Sequence, residues 1–123
     1  MQLLAIGIGG ALGAIARYVL GGAVHRLTPG FFPYGTFVVN VVGCLAFGVI
    51  VGLAESRLTV GPVARAFLLI GVLGGFTTFS SFTFETFELL RDGQVMHAAA
   101  NVAGQVLLGF MALWAGFVAG RAV

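Results

Sequence analysis

Gly71-Val72-Leu73-Gly74-Gly75-Phe76-Thr77-Thr78-Phe79-Ser80-Ser81-Phe82-Thr83-Phe84-Glu85 is the stretch whose reading decides the fold. It lies inside an apolar run over residues 63–90, and a membrane-crossing helix needs only about 20 residues. One straight span does not account for it. Glycine weakens a helix through backbone entropy, and threonine hydroxyls compete for backbone groups. Gly-Gly followed by Thr-Thr therefore predicts a break near 74–80. Irregular backbone at membrane depth persists only where protein buries it or a cavity faces it. Such a break exposes carbonyls and amide ends that can coordinate ions.

Around this stretch the chain is uniformly apolar. Of 123 residues, 59% are hydrophobic and 8% charged, against about 25% charged in soluble domains. The mean hydropathy of +1.09 also excludes a disordered chain. Three further apolar runs, over 3–24, 35–54 and 95–118, complete four expected spans in a single integral membrane domain covering 1–123. The first is longer than a signal-peptide core and has no basic residues before it, so it reads as a retained span. Pro29, Gly30 and Pro33 mark the turn after it. Glycines recur at four-residue spacing in Gly9 and Gly13, Gly48 and Gly52, Gly71 and Gly75, and Gly116 and Gly120. Small residues on one face let membrane helices approach closely, and this packing is expected to extend to a partner subunit.

The six arginines are scattered near the ends of apolar runs, as membrane-surface anchors are, and speak against nucleic-acid binding. With four alternating spans, Arg57, Arg65 and Arg121 lie on one side and Arg26 and Arg91 on the other. Three against two is almost no orientation bias. Either the chain inserts both ways round or a further factor fixes one direction. Cys44, the single cysteine, reads as a small packed residue.

Polar residues inside these runs mark function by default, because lipid penalises them. Arg17 has three open readings: an interfacial anchor, an ion-pair partner of Glu85 or Glu88, or an anion attractor at a pore entrance. Thr36 and Asn40 are four apart, on one helix face. Threonine can bond back to its own helix, but asparagine must find a partner or a wet cavity. Asn101 and Gln105 repeat that spacing, either as an interhelical hydrogen bond or as a second polar strip along a pore. Phe79 and Phe82 project to one side of their helix, in the company of Thr77, Thr78, Ser80, Ser81 and Thr83. A phenylalanine edge is electropositive and favours an anion without adding charge. No nucleophile, metal-ligand or phosphate-binding constellation appears, so no enzyme is expected.

Three motifs carry a closer likeness: Gly9-Gly10-Ala11-Leu12-Gly13-Ala14-Ile15-Ala16-Arg17-Tyr18, Gly35-Thr36-Phe37-Val38-Val39-Asn40-Val41-Val42-Gly43, and the run from Gly71 to Phe82. In that order and spacing they closely resemble the CrcB/Fluc fluoride channels over essentially the whole length. The resemblance implies an all-α membrane protein with a broken third helix, assembled as an antiparallel, dual-topology homodimer in a bacterial inner membrane. It implies passive fluoride export through narrow pores at the dimer interface, with chloride excluded. Asn40 corresponds to the pore asparagine, and Phe79 and Phe82 to the ring residues of the anion path. The carbonyls of Gly74 and Thr77 correspond to ligands of a central sodium ion, the one cofactor implied. Thr36, Ser80, Ser81 and Thr83 are hydroxyl candidates, and Arg17 and Glu85 match family positions without an assigned role. Gln105 departs from the pattern, where a small hydroxyl residue is usual.

The alternative is a proton-coupled four-span exporter, either a fluoride antiporter relying on Glu85 or Glu88 or a small multidrug type. The latter resembles this chain in size but relies on a glutamate in the first span, and here that span has no acid. A structural or assembly protein is the third class, against which the polar strips argue.

Overall fold

The computed structural model describes residues 1–56 and 60–123. Arg57, counted in the orientation arithmetic, lies outside the described residues. Five helical elements follow in order: α1 (Gln2–Leu27), α2 (Tyr34–Ser56), α3 (residues 62–76), α4 (Phe79–Arg91) and α5 (Val95–Ala122). Taking α3 and α4 as one interrupted span, four helices are long and apolar enough to cross a membrane.

Local chemistry sets the ends. α1 stops where the Thr28 hydroxyl donates to the Val24 carbonyl at 2.7 Å, and Gly30 turns the chain at φ 144°, a conformation open to glycine. α3 starts with Pro62 at its first position, where a missing N–H costs nothing. Its middle, Ala66–Leu73, is wound as a π-helix. α4 ends in a Schellman motif: Gly93 has φ 74°, its N–H donates to Leu90 at 3.1 Å, and Gln94 N–H donates to Leu89 at 2.7 Å.

The helices pair as α1 with α3 and α2 with α5. Both seams are glycine on glycine. A methyl group on Gly13 would fall onto the Val72 carbonyl oxygen, and one on Gly48 onto that of Leu113. Gly71 faces Gly9 across the first seam, and Gly120 faces Gly52 across the second. Backbones this close gain dispersion contact and Cα–H···O bonding, which hold helices together where lipid offers no hydrophobic contrast. All four glycine pairs therefore mate within the chain.

Candidate functional site

The interruption between α3 and α4 is two residues long. Thr77 takes ψ 157°, and Thr78 takes φ −148° and ψ 113°. Each side of the break is locally closed by a hydroxyl. Thr77 Oγ1 donates to the Leu73 carbonyl at 2.9 Å, and Thr78 Oγ1 caps α4 by accepting from Ser81 N–H at 3.2 Å. Gly43 makes room from α2, since a Cβ there would strike the Thr77 methyl group.

The Thr78 peptide groups still need partners, because an unpaired backbone group in hydrocarbon costs several kcal/mol. Asn40 supplies both. Its Oδ1 accepts from Thr78 N–H at 2.8 Å, and its Nδ2 donates to the Thr78 carbonyl at 3.0 Å. The side-chain amide thus stands in for the missing turn of helix. It also frees the Gly74 carbonyl, whose helical donor would have been the Thr78 N–H.

Asn40 begins a chain of hydrogen bonds across α2, α5 and α4. Its second N–H donates to Gln105 Oε1 at 2.7 Å. Gln105 Nε2 donates to Asn101 Oδ1 at 2.9 Å, Asn101 Nδ2 to Thr86 Oγ1 at 3.0 Å, and Thr86 Oγ1 to the Phe82 carbonyl at 2.7 Å. Asn101 is fully buried. Of the two readings of Asn101 and Gln105, the interhelical hydrogen bond is present, and Gln105 also lines a cavity.

Two open-sided cavities flank this knot. The smaller, about 360 Å³, is bordered by Asn40, Gly43, Cys44, Phe79, Phe82 and Gln105. The rings of Phe79 and Phe82 lie 5.6 Å apart, tilted by 51°, and Phe79 is 79% exposed. The larger, about 740 Å³, gathers Arg17, His25, Thr36, Ser81, Glu85 and Glu88. Thr78 borders both.

Asn40, Phe79 and Phe82 therefore come together in one cavity, and Thr36, Ser81, Arg17 and Glu85 in the other. Ser80 and Thr83 border neither and lie exposed on α4, where the Thr83 hydroxyl bonds back to the Phe79 carbonyl at 3.0 Å. Gly74 is exposed and Thr77 half-buried.

The ion-pair reading of Arg17 is corrected. Among the described residues Arg17 forms no salt bridge with either acid. Thr36 Oγ1 donates to Glu85 Oε1 at 2.7 Å, and Arg91 pairs with Glu88 at 3.2 Å. The remaining oxygen of Glu85, Oε2, is buried without a hydrogen-bond partner. Sequence reasoning missed Thr86 altogether. A threonine four residues after Phe82 looks like a helix bonding to itself, and nothing along the chain shows that Asn101 will reach it.

Comparison with known proteins gives this architecture a family. The family model described as "CrcB-like protein, Camphor Resistance (CrcB)" matches residues 4–117. A protein of Nitratidesulfovibrio vulgaris strain Miyazaki F is 50% identical over 122 residues, covering 99% of this chain and 98% of its own. One from Solibacter usitatus is 46% identical over 121 residues, covering 98% and 99%. One from Geobacter sulfurreducens is 45% identical over 119 residues, covering 97% and 96%. All three bear the name "Fluoride-specific ion channel FluC". With four helices fit to cross a membrane and a full-length match to these relatives, the chain is a multi-pass membrane protein and belongs to the CrcB family.

Proposed function

We propose that this chain is one subunit of a fluoride-specific channel in a bacterial inner membrane. Two copies would pack antiparallel and export fluoride passively through narrow pores between them. The observation that carries this reading is the smaller cavity: the amides of Asn40 and Gln105 and the rings of Phe79 and Phe82 border one space beside the helix break. Fluoride is small and strongly hydrated, so a pore must replace its lost water with donors. A cavity of neutral donors and ring edges does so without a fixed cation that would bind too tightly for release.

The open side of the cavity supports the second copy. Phe79, Ser80, Thr83 and Gly74 lie exposed in a span that crosses lipid, and polar groups there require cover. A second copy would bring these residues of both subunits to a shared interface. The near balance of arginines fits subunits inserted in opposite directions.

A sodium ion at the centre of the dimer fits the residues present. The Thr78 N–H that a continuous helix would give to the Gly74 carbonyl is held by Asn40 instead, which leaves that carbonyl as a hard oxygen donor on an exposed face. The carbonyls of Gly74 and Thr77 would hold the ion, and its charge would join the two broken helices.

The larger cavity serves as the vestibule, where Arg17 attracts anions and Glu85 is held aside by Thr36. The proton-coupled alternative is less well supported: the first span has no acid, and the curated relatives are named channels.

The test is efflux of fluoride and of chloride from the same reconstituted vesicles. We expect passive, voltage-driven fluoride efflux without chloride, lowered sharply by Phe79→Ile or Phe82→Ile in an assembled dimer. Strict coupling to a proton gradient, or no fluoride flux, would overturn the reading.

A further inference from the structure

The fixed charges around the larger cavity do not add up to a strong attraction for an anion. Arg17 borders it from α1, with Tyr18 beside it, while Glu85, Glu88 and Asp92 border it from α4 and the turn that follows. From α2 come only Gly35, Thr36 and Val39, and the loop at residues 30–33 adds no ionisable group. Arg91 does not border the cavity, but it pairs with Glu88 at 3.2 Å and approaches Asp92 at 3.7 Å. Three carboxyl groups therefore stand against two guanidinium groups, and the pull of Arg17 on an anion is opposed.

His25 is the remaining ionisable residue on this wall. It sits exposed in the last turn of α1, past the apolar run over residues 3–24, and borders the same cavity as Arg17. Eight residues of helix are close to two turns, so the two side chains share a face and lie about 12 Å apart along the axis. His25 is thus nearer the helix end and Arg17 deeper in the span. Arg26 comes next in α1 but does not border the cavity. His97 of α5 lies against Phe32, with ring centroids 6.4 Å apart, and does not border it either. Histidine is the side chain whose charge changes between about pH 5 and pH 8. A neutral His25 leaves the acids in excess, and a protonated one matches them.

We propose that His25 sets the pull of the vestibule on fluoride according to pH, so that the channel collects the anion faster in acid. The proposal rests on the channel reading and adds a regulation to it. Acid is also where the fluoride load is greatest. Hydrogen fluoride is a weak acid whose neutral form crosses lipid where the ion cannot, and its share grows as pH falls. The charge on His25 and the need for export would rise together.

The experiment measures fluoride efflux from reconstituted vesicles at low ionic strength, with fluoride itself as the probe and well below saturation. The pH is equal on both faces and stepped from about 7.5 to about 5.5, across the range in which imidazole titrates. Protein-free vesicles at each pH give the leak of hydrogen fluoride, which is subtracted. We expect native flux to rise about fivefold toward acid, the scale of one unit charge close to an ion in water, and the rise to shrink as salt is added. His25→Gln, neutral at every pH, should give a flat profile. His25→Arg, charged at every pH, should give a flat profile that lies above it. A flat profile in the native chain overturns the proposal. So does a rise that persists in either variant, which would place the titration on Glu85, Glu88 or Asp92. Where one variant fails to assemble, the other decides. Absence of fluoride flux from the native chain at every pH removes the channel reading itself, and this regulation with it.

Discussion

α2 and α5 touch along their whole length, yet the two ends of that seam are built on opposite principles. At one end Gly48 and Gly52 meet Gly116 and Gly120, with backbone against backbone and no side chain between. At the other, Asn40 and Gln105 face each other through a 2.7 Å hydrogen bond. The glycine end works by nearness alone and tolerates no added volume. The amide end works by donors and acceptors, and there a change of polarity matters more than a change of size. Lipid explains the division, since apolar burial there contributes little and adhesion must come from contact or from polar bonds. The first kind of seam holds a shape. The second keeps space beside it for something else.

The largest break in this contrast is expected from Gly48→Ala. One methyl group directed at the Leu113 carbonyl should destabilise the subunit by about 3 kcal/mol, read as a lower unfolding temperature in detergent. Gly7→Ala is the matched control: nothing lies within 4 Å of that position, so the same methyl should be neutral or slightly stabilising through helix propensity.

Next comes Asn40→Leu, similar in size but apolar. It leaves the Thr78 N–H and carbonyl without partners, at a cost of about 2 kcal/mol. Fluoride flux should fall, and the Thr78 amide should exchange with deuterium far faster than its neighbours. A Thr78 amide as protected as in the native chain would show that Asn40 does not hold the break.

Thr86→Val is smaller. It removes the far anchor of the amide chain at similar volume, costing about 1 kcal/mol. The smallest effect is expected from Arg91→Ala. Its pair with Glu88 is largely exposed, so stability should change by less than about 0.5 kcal/mol and fluoride flux should not change.

Much of the fold is written in composition. Four apolar runs are long enough to cross, and Gly74-Gly75 before Thr77-Thr78 marks where the third must break. The break occurs at Thr77 and Thr78 because glycine and threonine act locally, through entropy and hydroxyl competition. The π-helical winding of Ala66–Leu73 leaves no such mark, since its residues are ordinary apolar ones. Pairing is equally hidden. The spacing of Asn101 and Gln105 sets them on one face, but not the rotation that turns Gln105 to Asn40 and Asn101 to Thr86. Thr36 and Glu85 stand 49 positions apart, and nothing along the chain relates them. The glycine pairs were legible as adhesive faces, while their partners within the chain were decided by which helices became neighbours.

Thr78 belongs to the wall of both cavities. It is held there from behind by the carboxamide of Asn40, so both spaces depend on the placing of one residue. Rearranging that residue would reshape both spaces at once, so under the proposed channel function a substitution at Thr78 is expected to disturb the way in and the way through together.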